Sequence, residues 1–162
     1  MQNSILSPAH DLGRYYEKVA AQIQSLVQPL SDDDVWHKPY PYGNSIGHLL
    51  LHMTGNLNYY IGAQIGGTGY VRNRELEFTD TSRRPKAVVL QEFSQAIAMV
   101  KSTLGRQSDQ DWGAHYTAKG MEDAENRFTI FLRCAAHLQH HTAQIVYLTK
   151  EIARQRGESK DI

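Results

Sequence analysis

His137 and His141 stand four residues apart in the stretch Arg133-Cys-Ala-Ala-His-Leu-Gln-His-His-Thr-Ala-Gln-Ile-Val-Tyr-Leu148, which holds three of the chain's eight histidines. On a helix turning about 100° per residue, Ile130, Phe131, Cys134, His137, Leu138, His141, Ile145 and Leu148 fall within one arc of roughly 120°. That arc is the expected buried face. A buried ring nitrogen without a partner costs on the order of 1–3 kcal/mol, so an imidazole pair inside an apolar stripe has to be satisfied. One metal ion would satisfy both rings, and neighbouring side chains or a water would also do so. A third ligand on another element decides between these. His140 points about 60° away from His137 and reads as an outer-face residue. Cys134, one turn before His137, reads as a small core side chain.

The third histidine has to come from an element that packs on this helix. Four amphipathic segments are recognisable from apolar residues at three- and four-residue spacing. The first runs from about Pro8 to Leu30, with Leu12, Tyr15, Tyr16, Val19, Ile23, Leu26, Val27 and Leu30 carrying its periodicity. The second runs from about Ser45 to Gln64, carrying Ile46, Leu49, Leu50, Met53, Leu57 and Tyr60 inward, with Asn44 or Ser45 as its N-cap. The third spans about Pro85 to Arg106, and the last about Asn126 to Arg154. His52 and Asn56 lie on the flank of the second helix's apolar stripe, about a turn apart, whereas His48 is turned further toward solvent and reads as a surface residue. His52, His137 and His141 therefore form the candidate triad. Three imidazoles suit zinc, nickel, copper or iron, and three protein ligands leave a position open. Asn56 and Gln144, each one turn beyond a triad histidine, are candidates to orient the ligands or contact a bound molecule.

Between these helices the chain changes character. Pro39-Tyr-Pro-Tyr-Gly43 cannot continue a helix, because proline lacks the amide donor and restricts its predecessor. Gly62, Gly66, Gly67 and Gly69 break the second periodicity, and the polar segment through Arg84 reads as a long connection. A connection of that length is uncommon in a compact bundle unless it covers a site or crosses the bundle. Ser31-Asp-Asp-Asp-Val-Trp36 is echoed by Ser108-Asp-Gln-Asp-Trp112, each after one helix and before a helix carrying histidines. The echo suggests two related halves packed as a four-helix unit. Tyr116 to Glu125 reads as a polar connector with a short extended piece.

The whole-chain numbers bound what this unit can be. At 162 residues and 41% hydrophobic, it is expected to form one domain around a single core. Seventeen basic and seventeen acidic side chains balance, with neither sign in a long run, so a nucleic-acid or anionic-membrane role lacks its electrostatic footprint. No apolar run approaches the roughly 20 residues of a membrane span. The N-terminal residues lack the pattern of a secretory signal, and a single cysteine fits a reducing compartment. The expectation is a cytoplasmic protein.

Ser45-Ile-Gly-His-Leu-Leu-Leu-His52-Met-Thr-Gly-Asn56, followed far downstream by Ala136-His137-Leu-Gln-His-His141-Thr-Ala-Gln144-Ile145, resembles the DinB-like superfamily of four-helix metalloproteins. The resemblance covers most of the chain. It implies an all-α, up-down-down-up four-helix bundle over residues 1–162, with a long connection between helices 2 and 3. It also implies a divalent metal, commonly zinc or nickel, on one histidine of the second helix and an H-x-x-x-H pair of the fourth, which match His52, His137 and His141. Homodimers are frequent in that superfamily. Its characterised enzymes use a low-molecular-weight thiol such as mycothiol, bacillithiol or glutathione, so the resemblance implies a metal-dependent thiol S-transferase acting on a small molecule. The alternative expectation is a non-catalytic, stress-related dimeric bundle that holds metal or a ligand.

Overall fold

The computed structural model describes residues 7–158. The residues read for a secretory signal and the end of the chain's tail lie outside them. The first helix, α1 (Pro8–Val27), is capped by Ser7 and stops short of the expected Leu30. Pro29 accounts for the difference, since it lacks the N–H that another turn would require. Ser31 then opens a short α2 (Asp32–Trp36) with a capping box closed by Asp34. Ser45 caps α3 (Ile46–Leu57), which continues as a π-helical turn, Asn58–Ala63. A short α4 (Leu76–Thr79) lies within the long connection. It is followed by α5 (Lys86–Gly105), α6 (Asp109–Trp112) and α7 (Arg127–Gln155), the last capped by Asn126. Ser108 and Asp111 close a capping box on α6 as Ser31 and Asp34 do on α2, so the sequence echo corresponds to one shared local structure.

The four long helices form a bundle. α1 packs on α5 and α7, and α3 packs on the same two. α1 and α3 thus face each other diagonally across a core built from Tyr16, Ile23, Leu50, Met53, Phe93, Phe131 and Leu138. The second and fourth sequence segments, which carry the histidines, are direct neighbours. Among the described residues there is no strand, and the expected extended piece reduces to one antiparallel bridge between His115 and Asn126. Nor is any described helix long and apolar enough to cross a membrane.

The helix α3 differs from the others in being enclosed on every side. All its residues from Ile46 to Leu57 are buried, because α2 and α4 cover the faces that α5 and α7 leave open. Gly47 permits the approach of α2, since a Cβ there would stand 2.6 Å from the Trp36 ring. The long connection is tied down at its end as well, where the indole Nε1–H of Trp36 donates to the Arg84 carbonyl at 2.8 Å.

Candidate metal centre

Packing of α3 on α7 brings the three histidines together. His52 is buried, His137 and His141 are half-buried, and one ligand atom from each lies within 4.8 Å of the others. The Nε2 atoms of His52 and His137 are 3.0 Å apart, as are those of His141 and His137. Imidazole nitrogens about 2.0–2.1 Å from one ion stand roughly 3 Å apart or slightly more. The cluster therefore fits a single metal ion.

The partners of the outer nitrogens determine what the inner ones can do. His52 Nδ1–H donates to Glu77 Oε2 at 2.8 Å, and His141 Nδ1–H donates to Gln144 Oε1 at 2.7 Å. A neutral imidazole carries one proton, so both rings present an unprotonated Nε2 to the cluster. His137 Nε2 can donate one hydrogen at most, while its Nδ1 is buried without a partner among the described residues. Two lone pairs therefore converge on a third nitrogen that cannot satisfy both. A cation resolves that arrangement, which the histidines alone leave frustrated.

Electrostatics keep the two rings of α7 in the ligating form. Burial, reinforced by neighbouring His141 and His52, pushes His137 down to about 3, and burial pushes His141 down to about 4. Both are neutral at neutral pH, as metal ligation requires. Burial works against the Glu77 charge, but the bonds from His52 and Arg72 prevail and hold its carboxyl below the ordinary glutamate value. Arg72 is bidentate on it, with Nε to Oε1 at 2.7 Å and Nη2 to Oε2 at 2.9 Å. The two side chains are 8% and 6% exposed.

Glu77 and Arg72 are the site residues that sequence reasoning missed. They lie in the non-periodic connection, where no helical or strand spacing marks them, and α4 swings the carboxylate over α3. Gly55 makes room for it, since a Cβ there would lie 2.1 Å from Glu77 Oε1. A glycine inside a buried helix, one turn from a candidate ligand, was the available signal that another side chain approaches there.

Other candidates separate clearly. Gln144 meets His141 directly, as given above. Asn56 is 3% exposed, its Oδ1 has no partner among the described residues, and it lines a cavity of about 650 Å³ beside His52 and His137. His140 is exposed on the outer face of α7, as expected. Cys134 is fully buried, and burial pushes its thiol up to about 12, so it is inert core. His48 overturns the expectation of a surface residue, being only 7% exposed. Its Nε2–H donates to the Asp80 carbonyl at 2.9 Å and its Nδ1 accepts from Ser45 Oγ at 2.6 Å. Its direction on the helical wheel was correct, but α4 and the residues after it cover that direction.

A solved structure described as a conserved protein from Enterococcus faecalis shares the fold, with a TM-score of 0.73 over 90% of this chain and 97% of its own, at 13% sequence identity. No curated protein matches the chain. The sequence pattern of the DinB superfamily matches residues 15–145, a span that contains His52, His137, His141 and the connection that buttresses them. With that pattern running through all four long helices of the bundle, the chain belongs to the DinB superfamily.

Proposed function

We propose that this protein binds one divalent ion, zinc or nickel, through the Nε2 atoms of His52, His137 and His141. The observation that carries the proposal is the convergence of two unprotonated nitrogens, held by Glu77 and Gln144, on a third. Such an ion is a Lewis acid that lowers the pKa of a coordinating thiol or water. The side chains around it have separable tasks. Glu77 and Gln144 fix ring orientation and tautomer, Arg72 holds Glu77, and Asn56 offers a buried acceptor to a bound molecule.

The finer reading is a low-molecular-weight-thiol S-transferase. In support, the cavity beside the histidines is large enough for a small thiol and its substrate. Among the described residues its wall contains no serine, cysteine or carboxylate, which suits chemistry whose nucleophile arrives with the cofactor. The test is consumption of mycothiol, bacillithiol or glutathione against monochlorobimane, by metal-loaded and chelator-treated protein. Turnover that appears only with metal supports the transferase. Stoichiometric metal without turnover of any of these thiols counts against it and favours the second reading.

That second reading is a non-catalytic, stress-related dimeric bundle holding metal or a ligand. One observation favours the dimer: Tyr42 and Tyr147 are 76% and 73% exposed and flank an apolar groove of about 470 Å³. Aromatic surface of this kind suits a self-complementary contact with a second copy. Tyr147→Glu is expected to yield monomer in sedimentation analysis, and an unchanged sedimentation coefficient would remove the argument.

A further inference from the structure

The wall of the cavity beside the histidines is asymmetric in charge. Arg72, Arg74 and Lys119 line it, and among the described residues no carboxylate does. Arg72 is neutralised by its bidentate pairing with Glu77. Neither Arg74 nor Lys119 has a carboxylate oxygen within 4.0 Å among the described residues. The chain as a whole is formally neutral, so this excess is local to the cavity.

The fold holds Arg74 and the backbone turn that carries Lys119 beside the cavity. The Arg74 guanidinium lies over the Phe78 ring, 5.4 Å from its centroid, which ties it to α4. Lys119 belongs to a turn whose carbonyl accepts from Tyr60 Oη–H at 3.3 Å. Gly120 follows with φ +88°, and a Cβ there would stand 2.7 Å from Tyr60 Oη. Only glycine lets that turn lie against the cavity. The nearby Glu122 carboxylate is turned back to accept from the Gly120 amide at 2.8 Å and does not line the wall. Asn56 also lines the cavity, and its Oδ1 is buried without a partner among the described residues.

We infer that this cavity takes an anionic small molecule, its carboxylate or phosphate held between Arg74 and Lys119 and a hydrogen-bond donor closer to the histidines facing Asn56. The inference rests on the metal centre proposed above for the other end of the ligand. A concave wall of one sign concentrates oppositely charged ligands, and charged oxygens make the strongest bonds to guanidinium and ammonium groups. An unpartnered buried acceptor favours ligands that bring an N–H or O–H.

Glutathione and its diethyl ester differ in the carboxylates and share the thiol and amides. Calorimetric titration of both into metal-loaded protein, with metal content measured on the same samples, tests the inference. Glutathione is expected to bind at least about tenfold more tightly than the ester. The exposed positions allow an Arg74→Ala/Lys119→Ala double variant to fold, and in it the ratio is expected to fall to within about twofold with metal content unchanged. An ester that binds as well as glutathione overturns the inference, as does a ratio that survives in the double variant. Absence of binding of either probe to metal-loaded protein overturns it too. If wild type takes up no metal yet still prefers glutathione and loses that preference in the double variant, the anion site stands and the metal centre falls.

Discussion

His48 and His52 sit one turn apart on the same buried helix, are equally buried at 7% exposure, and both reach segments of the same long connection. His48 has both ring nitrogens occupied, by Ser45 and the Asp80 carbonyl. His52 has Nδ1 occupied by Glu77, and its Nε2 faces His137 and His141. The contrast teaches that residue type, burial and position on a motif do not make a ligand. A spare, unprotonated nitrogen aimed at others can. His48 fastens the connection to the bundle, and His52 holds it while keeping one nitrogen for the centre.

The contrast can be broken most severely at Glu77. Glu77→Ala leaves the Arg72 guanidinium buried and unpaired, expected to cost about 3–5 kcal/mol in urea unfolding. It also frees the His52 tautomer, expected to weaken metal affinity by about 10–100-fold in competition with a chelating dye. Gly55→Ala should move both quantities the same way by less, because the displaced carboxylate stays in the chain and can reseat. Unchanged metal affinity in both variants would mean that His52 needs no buttress.

Next in size is His48→Ala, which orphans the Ser45 hydroxyl and the Asp80 carbonyl. The Ser45 oxygen keeps its N-cap bond from the amide of residue 48, so the losses are the hydroxyl's acceptor and the carbonyl's donor, expected to cost about 1–3 kcal/mol in the same unfolding experiment, with metal stoichiometry unchanged. Loss of metal from this variant would erase the distinction between the two histidines.

Acid sharpens the comparison. Burial is the foremost cause lowering His48, His137 and His141 below the ordinary histidine value of 6.5, and it takes the last two down to about 3 and 4. Between those values the unfolded chain takes up protons that the folded chain refuses, so the stability these rings contribute is complete above about pH 6.5 and declines as pH falls. The melting temperature of metal-free protein should therefore drop from pH 7 toward pH 4, and less steeply in His48→Ala. A flat profile would contradict the assignment of neutral rings. The smallest effect is expected for the exposed His140: His140→Ala should stay within about 0.5 kcal/mol of wild type in unfolding and keep its metal.

The candidate triad was legible because helical periodicity carries it. His137 and His141 share a face at i and i+4, and the apolar stripes of the second and fourth helices mark them as core neighbours. Gln144 was legible for the same reason, one turn along that face from His141. The start of the second helix followed from Ser45 as its cap, whereas Pro29 stops α1 early and the second helix closes in a π-helical turn that its periodicity did not mark. Glu77 and Arg72 were not legible, because their positions depend on how a non-periodic connection folds back over α3, and only its unusual length hinted at a cover. His48 was misread for the same physical reason: a helical wheel gives direction, and exposure depends on what else lies in that direction.

The most direct test of the account is metal content by elemental mass spectrometry on protein purified without an affinity tag. Wild type, His52→Ala, His137→Ala and His141→Ala would be compared, with His48→Ala as the control. Near-stoichiometric zinc or nickel is expected in wild type and His48→Ala, and its loss in each of the other three. Wild type that is metal-free and takes up neither added zinc nor added nickel would contradict it, as would equal metal in all five proteins.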